Sequence, residues 1–204
     1  MNELLPRISA LLFKYGIKSL TMDDIARNLA ISKKTLYEHF ENKKDLILKI
    51  GSYEEQKELD DLAKICNHYP DTIEQFWAIT KYLVGRRLKM SSTLLYALNK
   101  YYPDVIADLS TNRQAHINEL IVQNINKGIR EGLYRENVEI ETVLFYYAFL
   151  LDFTNFEIFE NWFKIDSAKR YYAAFNYHLR AIATAKGVNY FETKFNPEAL
   201  NLDF

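Results

Sequence analysis

Two helix-start signals stand close together near the N-terminus and constrain how this part of the chain can fold. At the first, Thr21 can cap a helix while Asp24 occupies the answering position of a capping box. At the second, Ser32 can cap another helix, and only Ala30 and Ile31 lie between the two helices. Two short helices joined so tightly predict a helix-turn-helix.

Apolar residues on either side of these signals recur at helical spacing. Residues 5–15 predict a preceding helix that ends at Gly16, and Asn42 can cap a longer helix that follows. The second helix of the tight pair is expected to bury Leu36 and Phe40 against its neighbours. Its exposed positions are then Lys33, Lys34, Tyr37 and Glu38.

The remaining three quarters of the chain also have the pattern of helices. Six glycines and four prolines are few for 204 residues, so the expected fold class is all-α. With 49% apolar residues, the chain can bury a large core. The spacing predicts helices near residues 43–67, 72–89, 92–101, 104–131, 139–162 and 167–186, and the aromatic tail over 190–204 stays unassigned.

Charge is distributed unevenly along the chain, whose formal net charge is -1. Residues 1–50 contain nine Lys and Arg residues against six Asp and Glu, whereas the remainder contains seventeen against twenty-one. A basic segment on a nearly neutral chain suits contact with a polyanion through that segment alone. A chance fluctuation of composition would produce the same asymmetry.

The polar residues of the helix-turn-helix have the chemistry that a DNA-reading helix needs. Such a helix enters the major groove N-terminal end first, so short or flexible polar side chains at its start can reach base edges or phosphates. Lys43 lies at the start of the next helix, where free N–H groups and the helix dipole favour a phosphate. The alternative is a solvated three-helix module whose lysines serve solubility.

The stretch SLTMDDIARNLAISKKTLYEHFENKKDL resembles the DNA-binding signature of the tetracycline-repressor (TetR) family of transcriptional regulators. The resemblance implies a three-helix DNA-binding domain over residues 1–47 and a larger helical ligand-binding and dimerisation domain over 48–204. One departure is Ala30, which stands where the family usually has a glycine, so a slightly different turn is expected. The candidate DNA-binding residues are Thr21, Ser32, Lys33, Lys34, Thr35, Tyr37, His39 and Lys43; the resemblance implies bases for Lys33 and Lys34, and the phosphate backbone for Thr35, Tyr37, His39 and Lys43.

A helix over residues 143–151 is apolar on every face and must therefore be covered all round. One side can face the core of its own domain, while the other can pair with a second copy in a four-helix interface. The resemblance favours this homodimer, because the family uses its last two long helices in that way. A helix central in a monomeric bundle is the alternative. The candidate interface residues are Ala148, Phe149, Tyr171, Tyr172, Phe175 and Leu179.

Polar groups among aromatic residues mark where a small molecule could bind, because ligand pockets are mostly apolar with a few orienting polar groups. An amide bonded to the backbone, or an aromatic stripe that is simply core, would produce the same pattern. The candidate ligand-binding residues are Tyr96, Asn99, Gln123, Tyr147 and Asn155.

Several classes of protein are disfavoured by what the sequence lacks. It contains no metal-protease motif and no glycine-rich phosphate loop, and the four histidines are scattered, so neither an enzyme nor a metal or other cofactor is expected. Cys66 is the single cysteine, which permits no internal disulfide. The longest apolar run, residues 143–151, is far below the roughly 20 residues that span a bilayer, so a cytoplasmic protein without a membrane partner is expected.

Together, the residues and the resemblance predict a transcriptional regulator. We expect a homodimeric repressor that binds a palindromic operator in double-stranded DNA and is released by a small, largely apolar effector. The alternative is a helical protein-interaction or regulatory module without sequence-specific DNA binding.

Overall fold

The structure, a computed structural model, describes residues 3–151 and 167–195 and is built from helices throughout these ranges. The strand-like pairing within them is limited to one antiparallel bridge between Tyr134 and Ala183. The predicted all-α class is therefore confirmed. The helices are α1 (Leu4–Tyr15), α2 (Met22–Leu29), α3 (Lys33–His39), α4 (Lys43–His68), α5 (Thr72–Lys89), α6 (Ser92–Tyr101), α7 (Pro103–Arg130), α8 (Ile140–Leu151), α9 (Ser167–Ile182) and α10 (Ala185–Lys194).

The chain divides into two compact units. The N-terminal unit comprises residues 1–61 and 90–116, and the C-terminal unit comprises residues 62–89 and 117–204. Helix α6 and the first half of α7 therefore pack with the helix-turn-helix, although they follow it by many residues in the sequence. The functional division at residue 47 stays a prediction, because a packing unit need not coincide with a functional domain.

Caps and a shared core fix the helix-turn-helix within the N-terminal unit. The Asp24 N–H donates to Thr21 Oγ1 at 3.1 Å and the Thr21 N–H donates to Asp24 Oδ2 at 3.0 Å, which is the predicted capping box. Leu36 and Phe40, the predicted inward residues of α3, are fully buried. Val105 of α7 joins the same core, so a distant segment completes the packing of the first helices.

The core of the C-terminal unit is built around aromatic rings. The ring centre of Phe175 on α9 lies 5.2 Å from that of Phe76 and 4.9 Å from that of Trp77, both on α5. Phe191 on α10 extends the cluster, 6.0 Å from Phe175. Aromatic pairs at these separations add stabilisation beyond the area that they bury. Three helices are therefore held together by one aromatic core.

The predicted helix over residues 167–186 divides into α9 and α10. Thr184 caps α10, since its Oγ1 accepts from the Gly187 N–H at 3.1 Å. Gly187 in turn lies on the Leu133 carbonyl oxygen, where a Cβ would approach to 2.2 Å, so a larger residue does not fit. The prediction of one continuous helix was wrong because packing on the turn after α7 interrupts it.

The other predicted helices agree closely with the structure. The helices over 72–89 and 92–101 are α5 and α6, and that over 104–131 is α7, displaced by one residue. The helix predicted over 139–162 is described as α8 as far as Leu151, and its remainder lies outside the described residues. Of the unassigned tail, the first residues complete α10.

Candidate nucleic-acid interface

The turn between α2 and α3 keeps a left-handed residue although glycine is absent. Ala30 has φ 56° and ψ 40°, and its N–H donates to the Arg27 carbonyl at 3.1 Å. The next N–H, of Ile31, donates to the Ala26 carbonyl at 3.1 Å, which closes the end of α2. The turn therefore does not differ in the way expected from Ala30. The alanine adopts the left-handed conformation itself and bears the steric strain of it.

The start of α3 is organised by two hydroxyl groups. The Thr35 N–H donates to Ser32 Oγ at 3.0 Å, so Ser32 is the predicted N-cap. The two side-chain oxygens of Ser32 and Thr35 also lie 2.9 Å apart, as a hydrogen-bonded pair. These candidate DNA contacts thus stabilise their own helix, and Ser32 is exposed while Thr35 is half-buried.

The outer face of α3 carries the predicted polar surface. Lys34 and Glu38 are exposed, and Tyr37 is 49% exposed although it is a large aromatic residue. Lys33 forms an ion pair with Asp23 of α2, in which both side chains are largely exposed. His39 is half-buried beside Phe40, with ring centres 6.4 Å apart. The residues available on this face are therefore those predicted from spacing.

Lys43 occupies a different position from the one expected of a free phosphate ligand. Its Nζ donates to the carbonyl oxygens of Ile17 and Leu20, in the loop between α1 and α2. The side chain is half-buried, and burial lowers the pKa of Lys43. As it stands, this lysine holds the loop against the start of α4, so a phosphate contact would share or replace these bonds.

The start of α4 is also capped. The Asp45 N–H donates to Asn42 Oδ1 and the Glu41 N–H donates to Asp45 Oδ2, both at 3.0 Å. The side-chain hydrogen bond from Lys49, at 2.9 Å, is the main cause that lowers the pKa of the Asp45 carboxyl group. The basic start of α4 is therefore held by hydrogen bonds on both sides of Asn42.

The described candidate ligand-binding residues fall in both packing units. Tyr96 and Asn99 lie exposed on α6 in the N-terminal unit, and the Asn99 amide donates to the Leu95 carbonyl at 2.9 Å. Gln123 and Tyr147 belong to the C-terminal unit, where Gln123 is exposed and Tyr147 is buried. Asn155 lies outside the described residues. The assignment of these residues to an effector site stays a prediction.

An open cavity of about 450 Å³ lies in the C-terminal unit. Gln123 is among the residues that line it, and several other lining residues also carry amide or charged groups. The lining residues are Cys66, Gln75, Leu120, Gln123, Asn124, Asn126, Lys127 and Arg130.

Three side chains with polar atoms, those of Thr80, Tyr147 and His178, lie together in the aromatic core of this unit. Thr80 Oγ1 lies 3.0 Å from the Tyr147 hydroxyl oxygen, and the His178 ring centre is 5.9 Å from that of Tyr147. No described residue offers a hydrogen-bond partner to His178 Nε2, which is buried, and burial lowers the pKa of His178 to about 4. Thr80 and His178 were missed from the sequence, where each is one polar residue on an otherwise apolar face.

The candidate dimer interface is only partly at the surface. Tyr171, Tyr172, Phe175 and Leu179 are buried in the core of their own unit, so in this structure they are closed to a partner chain. Ala148 is half-buried and Phe149 is 62% exposed. The packing of α9 with α5 and α8 selects this inward face. The large apolar residues that α8 and α9 do expose are Phe145, Tyr146, Phe149 and Tyr177.

The described residues were also compared with the requirements of a metal site and of a membrane-spanning helix. Among residues 3–151 and 167–195, no three His, Cys, Asp or Glu side chains are grouped so that they could hold a metal ion. Over the same ranges, each helix is too short or too polar to cross a bilayer.

Comparison with known structures finds the same fold in several regulators. A TetR transcription regulator from Haloarcula marismortui has 17% sequence identity and a TM-score of 0.70, over 90% of this chain and 97% of that one. A protein from Saccharomonospora viridis, described as a transcriptional regulator and solved in complex with choline, gives the same identity, coverage and TM-score. A TetR-family regulator from Agrobacterium tumefaciens has 18% identity and a TM-score of 0.67, over 90% and 97%.

The sequence comparison locates the resemblance more narrowly. Residues 7–50 match the profile of the family described as bacterial regulatory proteins, tetR family, and they span α1 to α3 and the start of α4. A search of curated sequences finds no significant match. The matched segment is the one whose caps, turn and exposed polar face have been described above. Residues 7–50 therefore carry the match to the tetR family of bacterial regulatory proteins, which together with the shared fold supports a DNA-binding transcriptional regulator.

Proposed function

We propose that this regulator is a homodimeric repressor that binds a palindromic operator and is released by a small-molecule effector. The observation that carries the proposal is the outer face of α3, where Lys34 and Tyr37 are exposed above the fully buried Leu36. A short helix held by its apolar face presents its polar face in one orientation, which reading a DNA groove requires. This role is regulatory rather than enzymatic, and it is carried out in the cytoplasm, where the DNA lies.

The proposed DNA contacts divide into two chemical groups. Lys33 and Lys34 reach base edges in the major groove, with Lys33 exchanging its partner Asp23 for DNA. The hydroxyl, phenol, imidazole and ammonium groups around them bind phosphates, which fix the register without reading sequence. This second group consists of Thr21, Ser32, Thr35, Tyr37, His39 and Lys43.

The homodimer is supported by the aromatic residues that α8 and α9 expose. Phe145 and Tyr146 contact each other with ring centres 5.4 Å apart, and Tyr177 is 81% exposed. Exposed apolar residues on neighbouring helices mark protein contact surfaces. The packing of α8 on α9 within the chain supports the pairing of these two helices with their copies in a partner. We propose Phe145, Tyr146, Phe149 and Tyr177 as the interface, with Ala148 at its edge.

The proposed effector site is the aromatic core around Tyr147, Thr80 and His178. An apolar molecule with one hydrogen-bonding group would satisfy the His178 Nε2 atom among the surrounding rings. The choline complex of the Saccharomonospora viridis protein supports the general idea that a chain of this fold holds a small molecule. If the effector prefers a dimer with another separation of its α3 helices, it weakens operator binding, and DNA weakens effector binding equally.

Selection of bound DNA from a random duplex library tests the proposal directly. We expect a palindromic consensus whose half-sites lie about one DNA turn, roughly 34 to 36 Å, apart. Binding to that consensus should fall steeply with salt, because phosphate contacts release counterions. An intact dimer that enriches no sequence and shows no salt-dependent DNA binding would instead favour the protein-interaction alternative.

The proposed effector site has its own test. Compounds that raise the midpoint of thermal unfolding can be assayed for release of the selected duplex, and His178→Leu should abolish both effects of an active compound. If that compound binds His178→Leu unchanged, the effector site lies elsewhere while the DNA-binding proposal stands.

A further inference from the structure

Lysine and tyrosine side chains form a basic, aromatic surface on the N-terminal unit, outside the helix-turn-helix. The ammonium group of Lys18 lies 5.7 Å from the ring centre of Tyr101, and that of Lys100 lies 5.6 Å from the same ring. Lys100 is also 5.3 Å from the ring centre of Tyr96, whose hydroxyl oxygen accepts its hydrogen bond at 3.0 Å. We call Lys18, Tyr96, Lys100 and Tyr101 the flank patch.

The flank patch is exposed and positive. Both lysines are exposed, and Tyr96 and Tyr101 are 62% and 44% exposed. Neither the loop over residues 16–20 nor α6 contains an acidic residue, so the elements that carry the patch supply no carboxylate to neutralise it. Cation–π contacts draw the two ammonium groups towards one ring, and both lysines remain exposed to solvent. An anionic partner therefore fits this surface.

The flank patch is continuous with the DNA-facing start of α4. Lys43 donates to the carbonyls of Ile17 and Leu20, which stand on either side of Lys18 in the same loop. On the next position of α4, Lys44 pairs with Asp104 at 3.2 Å, just after the end of α6. The loop and the end of α6 are thus fixed beside the basic helix start, within one packing unit.

We propose that the flank patch binds the phosphate backbone of duplex DNA outside the half-site read by α3. Charge complementarity favours a polyanion, and continuity with the basic start of α4 favours the DNA that the same unit binds. Lys18 and Lys100 are the phosphate ligands, and Tyr101 is the residue that positions both. The inference rests on the proposed operator binding and extends the contacted length of each half-site.

The test compares two duplexes in fluorescence anisotropy over a range of salt concentrations. One carries the selected consensus with minimal ends, and the other extends it by about one DNA turn, roughly 10 base pairs, on each side. The wild-type protein should bind the long duplex more tightly than the short one. The double variant Lys18→Gln with Lys100→Gln should bind the long duplex about tenfold more weakly and keep its affinity for the short one. Its salt slope on the long duplex should fall by about one unit for each lysine that no longer binds a phosphate.

The matched control removes the same charge elsewhere. Lys57→Gln with Lys89→Gln replaces two exposed lysines, and Lys57 lies about 20 Å along α4 from its start at a rise of 1.5 Å per residue. This control should bind both duplexes like the wild type. Tyr101→Ala should reproduce part of the weakening on the long duplex, because the lysines then lack their common ring.

Each other outcome is decisive. Equal weakening on both duplexes, or unchanged binding to both, would overturn the flank contact while leaving operator binding in place. If the wild-type protein binds neither duplex, the proposed function itself fails, and the flank contact fails with it.

Discussion

Lys33, the first residue of α3, forms an ion pair with Asp23, near the start of α2, across the turn that joins the two helices. The candidate base-reading lysine is therefore held by its own protein before DNA arrives. Both side chains are largely exposed, at 63% and 45%, and such pairs contribute less than about 1 kcal/mol to folding. Breaking the pair is thus a small cost that operator binding can offset.

Asp23→Asn should raise affinity for all DNA by a few fold. The change frees Lys33 and removes a negative charge that faces the incoming phosphates, whereas exposed pairs of this kind affect stability little. Titration of the operator and of an unrelated duplex, each by anisotropy, measures the effect. Asp60→Asn, an exposed carboxylate farther along α4, is the control and should change neither affinity. Unaltered binding by Asp23→Asn would show that this pair does not compete with DNA.

Substitutions of Lys34 and of Tyr37 should affect DNA binding in different ways. Lys34→Ala should alter which operator is preferred, because a good base contact provides roughly 1 to 3 kcal/mol of discrimination. Tyr37→Phe should weaken binding to all duplexes alike, since phosphates are the same at every sequence. Competition between the consensus and single-base variants separates the two results. If both substitutions have the same profile, the division into base and phosphate contacts is mistaken.

Ala30→Gly should stabilise the protein by about 0.5 to 1 kcal/mol. The left-handed backbone of Ala30, with φ 56°, strains an alanine by roughly 1 to 2 kcal/mol, and the greater freedom of glycine in the unfolded chain offsets part of the gain. Urea unfolding monitored by circular dichroism gives the difference. Ala10→Gly, at an exposed position within α1, should have the opposite sign and cost about 1 kcal/mol. A destabilised Ala30→Gly protein would mean that the turn is relaxed around alanine.

His178 should make the free energy of unfolding depend on pH. Its pKa is about 4 in the folded protein against an ordinary value of 6.5, so the unfolded chain takes up the proton first as pH falls. The stability contribution is full above pH 6.5, declines between pH 6.5 and 4, and is absent below, a change of up to roughly 3 kcal/mol. Urea unfolding of the wild type and of His178→Leu between about pH 4.5 and 7.5 isolates this slope from that of the carboxylates. Parallel profiles for the two proteins would show that folding does not lower the pKa of His178.

Phe149→Arg should separate the subunits without unfolding them. Phe149 is 62% exposed in the single chain, so the arginine stays hydrated in a monomer but is buried twice in a symmetric interface. Sedimentation at micromolar concentration, with circular dichroism as the fold check, distinguishes these states. Phe13→Arg, at an exposed position on α1, should leave assembly unchanged. A wild-type protein that sediments as a monomer would remove the homodimer from the proposed function.

Local chemistry determined the first part of the molecule from sequence alone. A capping box such as that of Thr21 and Asp24 involves residues three positions apart, so its signal is complete within one helical turn. The burial of Leu36 and Phe40 follows from their spacing, since a short helix has one face to bury. The helix-turn-helix and its exposed polar face could therefore be predicted, together with the family that they resemble.

Contacts between distant segments decided what the sequence left open. Lys43 extends into the α1–α2 loop because the carbonyls of Ile17 and Leu20 lie within its reach only after folding. The inward face of α9 could not be chosen from its apolar residues alone, because Phe175 meets Phe76 from another helix while Tyr177 is exposed. Sequence periodicity specifies how each helix is built, whereas the direction in which a side chain points between helices depends on which helices pack against it.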